Sequence, residues 1–291
     1  METKNPEDLY EHIRNIAKNS CCDINFLNDE EVIRKVEDGQ LSTKQLESIC
    51  AIRYWYNVVV LNKMKSISQT HKATTETTIT TNASFISSKG SEYAKNRSAH
   101  QDKYGINTYY LSETKAECYG KLLLRAATED LKKTSILYIG ARTEAEILYM
   151  GKFGFSPKNI QGLDLHTYSP LIRLGDMHDI PFKDNNFDIC ILTHCIAYSE
   201  EPEIAIKEGL RILKPNGKLI FTVSSIHKSK NYKEKPDIKN RPRTGAINIL
   251  EFEQYVDIAK ENSQILKESI DIIKITNEGQ PLMQAATITK K

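Results

Sequence analysis

Apolar residues come in short bursts through the second half of the chain, and the gaps between bursts are polar and turn-rich. Residues 136–139, 160–163, 171–174, 187–193 and 218–223 each have the length and content of a buried strand. Between them lie helical patterns. Ile147, Leu148 and Met150 mark one amphipathic stretch, and Ile206, Leu210 and Leu213 recur on one face of another that Ser199 and Pro202 introduce. A longer helix is expected over 112–133, with Ser112 as N-cap and Leu122, Leu123 and Ala126 among its apolar positions. Residues 214–217 read Lys-Pro-Asn-Gly, whose chemistry is that of a turn. Two further β-like runs, 270–276 and 283–289, flank Asn277-Glu278-Gly279-Gln280-Pro281 and predict a closing hairpin. Strands alternating with helices imply a parallel sheet covered on both faces, finished by an antiparallel edge.

The first half differs. Ser42 and Gln45 have capping-box spacing, and Leu46, Ile49, Cys50, Arg53, Trp55 and Val59 continue a helix, so residues 1–65 are expected to be a helical N-terminal region. The cluster Tyr54-Trp55-Tyr56 suits packing against a neighbouring domain better than ligand stacking. Half of residues 66–91 are Ser or Thr, which fits a linker or lid over 66–110. The division expected is thus 1–65, 66–110 and an α/β domain over 111–291.

Composition narrows the class. The 291 residues are 40% apolar and 27% charged, with 40 Lys and Arg against 38 Asp and Glu. No whole-molecule field drives such a chain onto nucleic acid or anionic lipid. No apolar run reaches the ~18–20 residues of a membrane span, and the polar, acidic start is unlike a secretory signal. Cysteines 21, 22, 50, 118, 190 and 195 include no C-x-x-C pair, so reduced thiols and a cytoplasmic location are expected.

In an open α/β sheet, ligands bind beyond the carboxyl ends of the strands. The residues there are Gly140-Ala141-Arg142-Thr143-Glu144 after the first strand and Asp164-Leu165 after the second. Asp176-Met177 follow the third, and Thr193-His194-Cys195 the fourth. Residues 175–188, Gly-Asp-Met-His-Asp-Ile-Pro-Phe-Lys-Asp-Asn-Asn-Phe-Asp, closely resemble the "GD-x-x-x-(L/I)-PF-x-(D/N)-x-x-FD" stretch of class I S-adenosylmethionine-dependent methyltransferases. Residues 208–219, Glu-Gly-Leu-Arg-Ile-Leu-Lys-Pro-Asn-Gly-Lys-Leu, resemble the same family's "E-x-x-R-(V/I)-LKP-G-G" helix and turn. The two matches lie in the family's order, and the resemblance runs over roughly 112–291.

That resemblance implies a Rossmann-like, seven-stranded, mostly parallel sheet with an antiparallel last strand, and S-adenosyl-L-methionine as cofactor. It implies that Gly140, Ala141 and Arg142 line the methionine part and that Asp164, beside Leu165, takes the ribose hydroxyls. Asp176 would meet the adenine amino group with Met177 along the ring, and Thr193 and His194 would face the methyl. The family's first loop, G-x-G-x-G, carries Arg142 and Glu144 in place of two glycines here. Those side chains would either crowd the cofactor or, for Arg142, pair with its carboxylate. Only residues 165–175 separate the two acids, too few for the usual strand–helix–strand connection.

For the reaction, His194 is the candidate base and Tyr198 a candidate for orienting substrate. No Asn/Asp-Pro-Pro-Tyr run follows the fourth strand, which disfavours amine methylation of the DNA-adenine type. A lid over 90–100 with Tyr104, Tyr109 and Tyr110, and a basic loop over 227–243, are the candidate substrate elements; the basic loop suits a small anionic acceptor. His166 and His178 have no partner at metal-ligand spacing, so no metal is expected. The leading reading is a small-molecule methyltransferase; a binding or scaffold protein on the same core is the alternative. A nicotinamide dehydrogenase lacks its G-x-G-x-x-G, and nucleic acid is disfavoured by the charge balance. Oligomeric state stays open, a homodimer included.

Overall fold

A computed structural model of the protein describes residues 29–54, 113–128, 130–141, 143–165, 169, 171–199, 201–224, 252–262, 270–277 and 280–291. Among the described residues, the first two helices are α1 (Asp29–Glu37) and α2 (Thr43–Tyr54). The Ser42 Oγ accepts from the Gln45 N–H at 3.3 Å while Gln45 Oε1 accepts from the Ser42 N–H at 2.9 Å, the reciprocal box expected from sequence. Val32, Ile33, Val36, Leu46, Ile49 and Cys50 turn their apolar faces onto the α/β domain and are buried there. Trp55 and Val59 lie outside the described residues.

Helix α3 (Glu113–Ala126) places Ala116, Tyr119, Leu122, Leu123 and Ala126 against the same core. It stops well short of residue 133. Asp130 uses its carboxylate to accept the Lys132 N–H at 3.0 Å, and its carbonyl takes the Thr134 hydroxyl, a local turn that competes with further helix. The sheet follows as β1 (Ile136–Ile139), β2 (Ile160–Asp164), β3 (Ile172–Leu174), β4 (Phe187–Thr193), β5 (Leu213–Ser224), β6 (Asp271–Asn277) and β7 (Gln280–Thr289). Between them run α4 (Glu144–Tyr149), α5 (Pro202–Arg211) and α6 (Phe252–Glu261).

Strand order is β3-β2-β1-β4-β5-β7-β6. The first five strands in that order are parallel, and β7 runs antiparallel between β5 and β6. The closing hairpin predicted from sequence therefore forms, but its second strand folds back inside its first. Strand β1 shows why the sheet is covered on both faces. Ile136 and Tyr138 join the core beneath α1–α4, whereas Leu137 and Ile139 join the core beneath α5 and α6. Leu213 leaves the helical face assigned to it from sequence and starts β5, pairing with Phe187. Asn216 takes the left-handed conformation with φ 63°, which keeps the Lys-Pro-Asn-Gly reversal as a bulge at the base of β5. Among the described residues no helix is long and apolar enough to cross a membrane.

The strand order reverses between β1 and β4, where the chain leaves β1 toward β2 on one side and later returns to β4 on the other. That crevice is where a parallel sheet receives its ligand.

Candidate active site

Gly140 ends β1 in a left-handed turn, with φ 79°, and its N–H donates to the Leu163 carbonyl at 2.9 Å. A Cβ there would stand 2.9 Å from the Cys195 Cβ and 3.3 Å from the Thr193 Oγ1. The position thus requires glycine for conformation and for space. Thr193 closes the same corner, its hydroxyl donating toward the carbonyls of Ile139 at 3.0 Å and Gly140 at 3.2 Å. Ala141 is fully buried behind the turn. Arg142 lies outside the described residues.

Glu144 is fully buried, and its carboxylate is committed to partners within the protein. It accepts from Arg53 Nε at 2.5 Å and Arg53 Nη2 at 3.2 Å, and from the Ser169 hydroxyl at 2.5 Å. The side chain at this position, expected to crowd the cofactor or reposition its carboxylate, is taken up by an arginine from α2 and a serine from the connection after β2.

The two acids fall where the strand pattern put them. Asp164 is the last residue of β2 and pairs with Leu174 of β3, and Asp176 follows only two residues beyond. They are therefore neighbours on one rim. Asp164 also makes its charge felt at Cys195, whose thiol is pushed far up first by burial and then by that carboxylate, so it stays protonated. Asp176 is buried, and its Oδ1 accepts from the His178 N–H at 2.9 Å and meets His178 Nδ1 at 2.6 Å. His178 Nε2 in turn meets the Ser199 hydroxyl at 2.7 Å. Ser199 is fully buried, so this Asp–His–Ser chain is a brace between the β3 and β4 loops and leaves no serine accessible for attack. Met177 packs on the core beneath α5 and α6, and Leu165 is half-buried at the β2 exit. Of the connection between β2 and β3, Leu165, Ser169 and Leu171 are described, and none of them is helical.

His194 stands in the left-handed conformation, φ 59°, just past β4. Its Nδ1 lies 2.7 Å from the Tyr119 hydroxyl and 3.0 Å from the Thr222 hydroxyl, and its backbone N–H donates to Thr222 Oγ1 at 3.0 Å. Burial pushes the Tyr119 phenol well above its ordinary range, with the nearby Glu146 and Cys195 adding to the effect. Tyr119 and Tyr138 meet edge to face at 6.1 Å, and Tyr138 is likewise held protonated by burial. Sequence reasoning singled out His194 but not its partner Tyr119. The available signal was a tyrosine on the apolar face of α3, where a buried hydroxyl needs a partner. Tyr198 is half-buried in the turn after His194; the lid over 90–100 and the basic loop over 227–243 lie outside the described residues.

The two sequence stretches that carried the resemblance meet in space. Arg211 donates to the carbonyls of Phe182 and Ile180, both at 2.9 Å, and pairs with Glu208 at 2.8 Å and Asp184 at 2.6 Å. Asp188 accepts from the Ser135 N–H at 2.8 Å and pairs with Lys214 at 2.7 Å. The family described as "Methyltransferase domain" matches residues 137–221, the span of β1 through most of β5.

Over residues 137–221 the chain is similar to that methyltransferase domain.

Among curated proteins, this domain is similar to the ubiquinone/menaquinone biosynthesis C-methyltransferase UbiE of a Ruegeria species, at 41% identity over 46 residues. That match covers 16% of this chain and 18% of the relative. The protein of the same name from Shewanella woodyi is 32% identical over 84 residues, covering 28% of this chain and 34% of the relative. The chain thus spans well under half the length of these relatives. A protein described as a methyltransferase, solved in complex with the Trm112 methyltransferase activator of Haloferax volcanii, superposes with a TM-score of 0.50 at 12% identity. The superposition covers 67% of this chain and 95% of that one, and supports the fold. Among the described residues, no three His, Cys, Asp or Glu side chains converge as metal ligands.

Proposed function

We propose that the protein is an S-adenosylmethionine-dependent methyltransferase acting on a small molecule. The observation that carries this reading is the pair of acids, Asp164 and Asp176, at adjacent strand ends beside a turn where only glycine fits. The residues suit the cofactor. The left-handed turn at Gly140 bends the backbone after β1 where the methionine portion would lie, and Asp164 has two oxygens for the ribose hydroxyls. Asp176, with Oδ1 held by His178, is oriented to accept from the adenine amino group, and Met177 supplies an apolar wall. When bound, S-adenosylmethionine supplies an electrophilic methyl group on a sulfonium with a thioether leaving group.

The protein's part is then alignment and exclusion of water, which is worth several kcal/mol when the reacting atoms are held in line. Thr193 fixes the Gly140 turn through its hydrogen bonds. Tyr119 keeps its phenolic proton and makes a hydrogen bond with His194 Nδ1 at 2.7 Å; with the phenol as donor there, the imidazole proton sits on Nε2. The relatives named C-methyltransferases are consistent with an acceptor that arrives already nucleophilic.

Calorimetry with S-adenosylhomocysteine tests the reading. Saturable binding that Asp164→Ala weakens by about ten- to a hundredfold, the loss of charge-assisted bonds to a diol, is the expected result. An affinity untouched by that substitution would reject this site.

A further inference from the structure

We infer that Glu144 is a positioning residue that ties the two cofactor-holding loops to each other and to the N-terminal helices. The inference rests on the cofactor reading above. In the loop pattern G-x-G-x-G this position carries no side chain, yet here a carboxylate is fully buried. A buried carboxylate is tolerated only with its charge paired and its oxygens satisfied. Glu144 meets that condition by reaching three ways. It belongs to the first turn of α4, directly after the Gly140 turn. Its Oε1 and Oε2 take the Arg53 guanidinium from α2, 91 residues earlier, and Arg53 is itself 4% exposed. Its Oε2 also takes the hydroxyl of Ser169, which lies in the connection that follows Asp164.

One carboxylate therefore joins the loop after β1, which faces the methionine end, to the loop after β2, which carries the ribose acid. That second loop has no helix among its described residues to hold it, so a side-chain bond does what a strand–helix–strand connection would otherwise do. Cys50, one turn before Arg53 on α2, is fully buried beside the pair. Burial first and the Glu144 charge second keep its thiol protonated, so it adds no competing anion. The N-terminal helices are in this way part of the cofactor site without touching the cofactor.

The test uses the full chain and S-adenosylhomocysteine. Ser169→Ala cuts the bond between loops, along with the Leu171 N–H bond that the same hydroxyl accepts at 3.2 Å, and leaves the ion pair. It is expected to raise the dissociation constant about five- to tenfold while shifting the melting temperature little. The paired substitution R53M/E144L replaces the ion pair with apolar groups of similar size, a change buried pairs often tolerate in stability. It is expected to stay folded by circular dichroism and to bind about tenfold or more weakly, with Arg53→Lys intermediate. A merely structural latch would move melting temperature and leave the affinity of the folded protein alone. Wild-type affinity in both Ser169→Ala and R53M/E144L overturns the inference. Failure of the unmodified protein to bind S-adenosylhomocysteine instead removes the cofactor reading beneath it.

Discussion

Single atoms decide most of this site. A methyl group at position 140 would meet Cys195 at 2.9 Å in a backbone conformation that side chains rarely adopt, φ 79°. Gly140→Ala is expected to cost roughly 1–3 kcal/mol of stability. In a thermal melt that is a lower midpoint, accompanied by loss of S-adenosylhomocysteine binding. The hydroxyl of Tyr119 carries a second expectation. Nitrogen-15 shifts of a histidine-labelled sample should show His194 with a proton on Nε2 and an accepting Nδ1. Tyr119→Phe removes one of the two hydroxyls at Nδ1 and should blend the two tautomers; an unchanged spectrum would mean that Thr222 alone sets the ring. At this scale the sequence made legible the positions of Gly140, Asp164, Asp176 and His194 at or just beyond strand ends. It was unreadable wherever the partner came from far along the chain. Nothing near Glu144 announces Arg53, and nothing near His194 announces Tyr119.

At the scale of elements, the two stretches that resemble the methyltransferase family turn out to be holding each other. Glu208 Oε2 accepts the Ile180 N–H at 2.9 Å while Arg211 takes the carbonyls on either side of Pro181, so α5 clamps the turn after β3. Lys214 and Ser135 do the same for Asp188 at the start of β4. Burial by itself would raise both carboxyls. For Glu208 the bonds from Arg211 and the Ile180 N–H win, and for Asp188 those from Lys214 and Ser135, so both are lowered. A carboxyl whose folded value is lowered adds stability that is complete above its unfolded value and fades as pH falls through the folded one. Denaturation midpoints should therefore hold steady near neutrality and drop below about pH 4, the ordinary carboxyl range. Lys214→Met should flatten part of that drop, and a drop identical to wild type would contradict the clamp. Strands were the most legible elements, because a buried parallel strand is a continuous apolar run. Ends were less so: α3 stops early for the Asp130 turn, and Leu213 passes from helix to strand. Helix α6 escaped notice although Phe252, Tyr255, Val256 and Ala259 bury one face at helical spacing.

Across the whole molecule, sheet order and site location follow from one another. A sheet ordered β3-β2-β1-β4-β5-β7-β6 has its reversal between β1 and β4, and the residues singled out cluster around that seam. The alternation of strands and helices made the parallel sheet legible, but the nesting of β7 between β5 and β6 was not, since hairpin chemistry fixes pairing and not which strand faces outward. The place of α1 and α2 was equally hidden. Their apolar faces promised packing, and only the structure joins Arg53 to the cofactor loop. The central claim is that segments from four strands close around one adenosylated ligand. Amide hydrogen exchange with and without S-adenosylhomocysteine measures that directly. Slowed exchange is expected together in residues 139–144, 164–165, 176–178 and 193–195, with the distal β6–β7 hairpin unchanged. Protection confined to one of those segments, or absent from all four, would contradict the account.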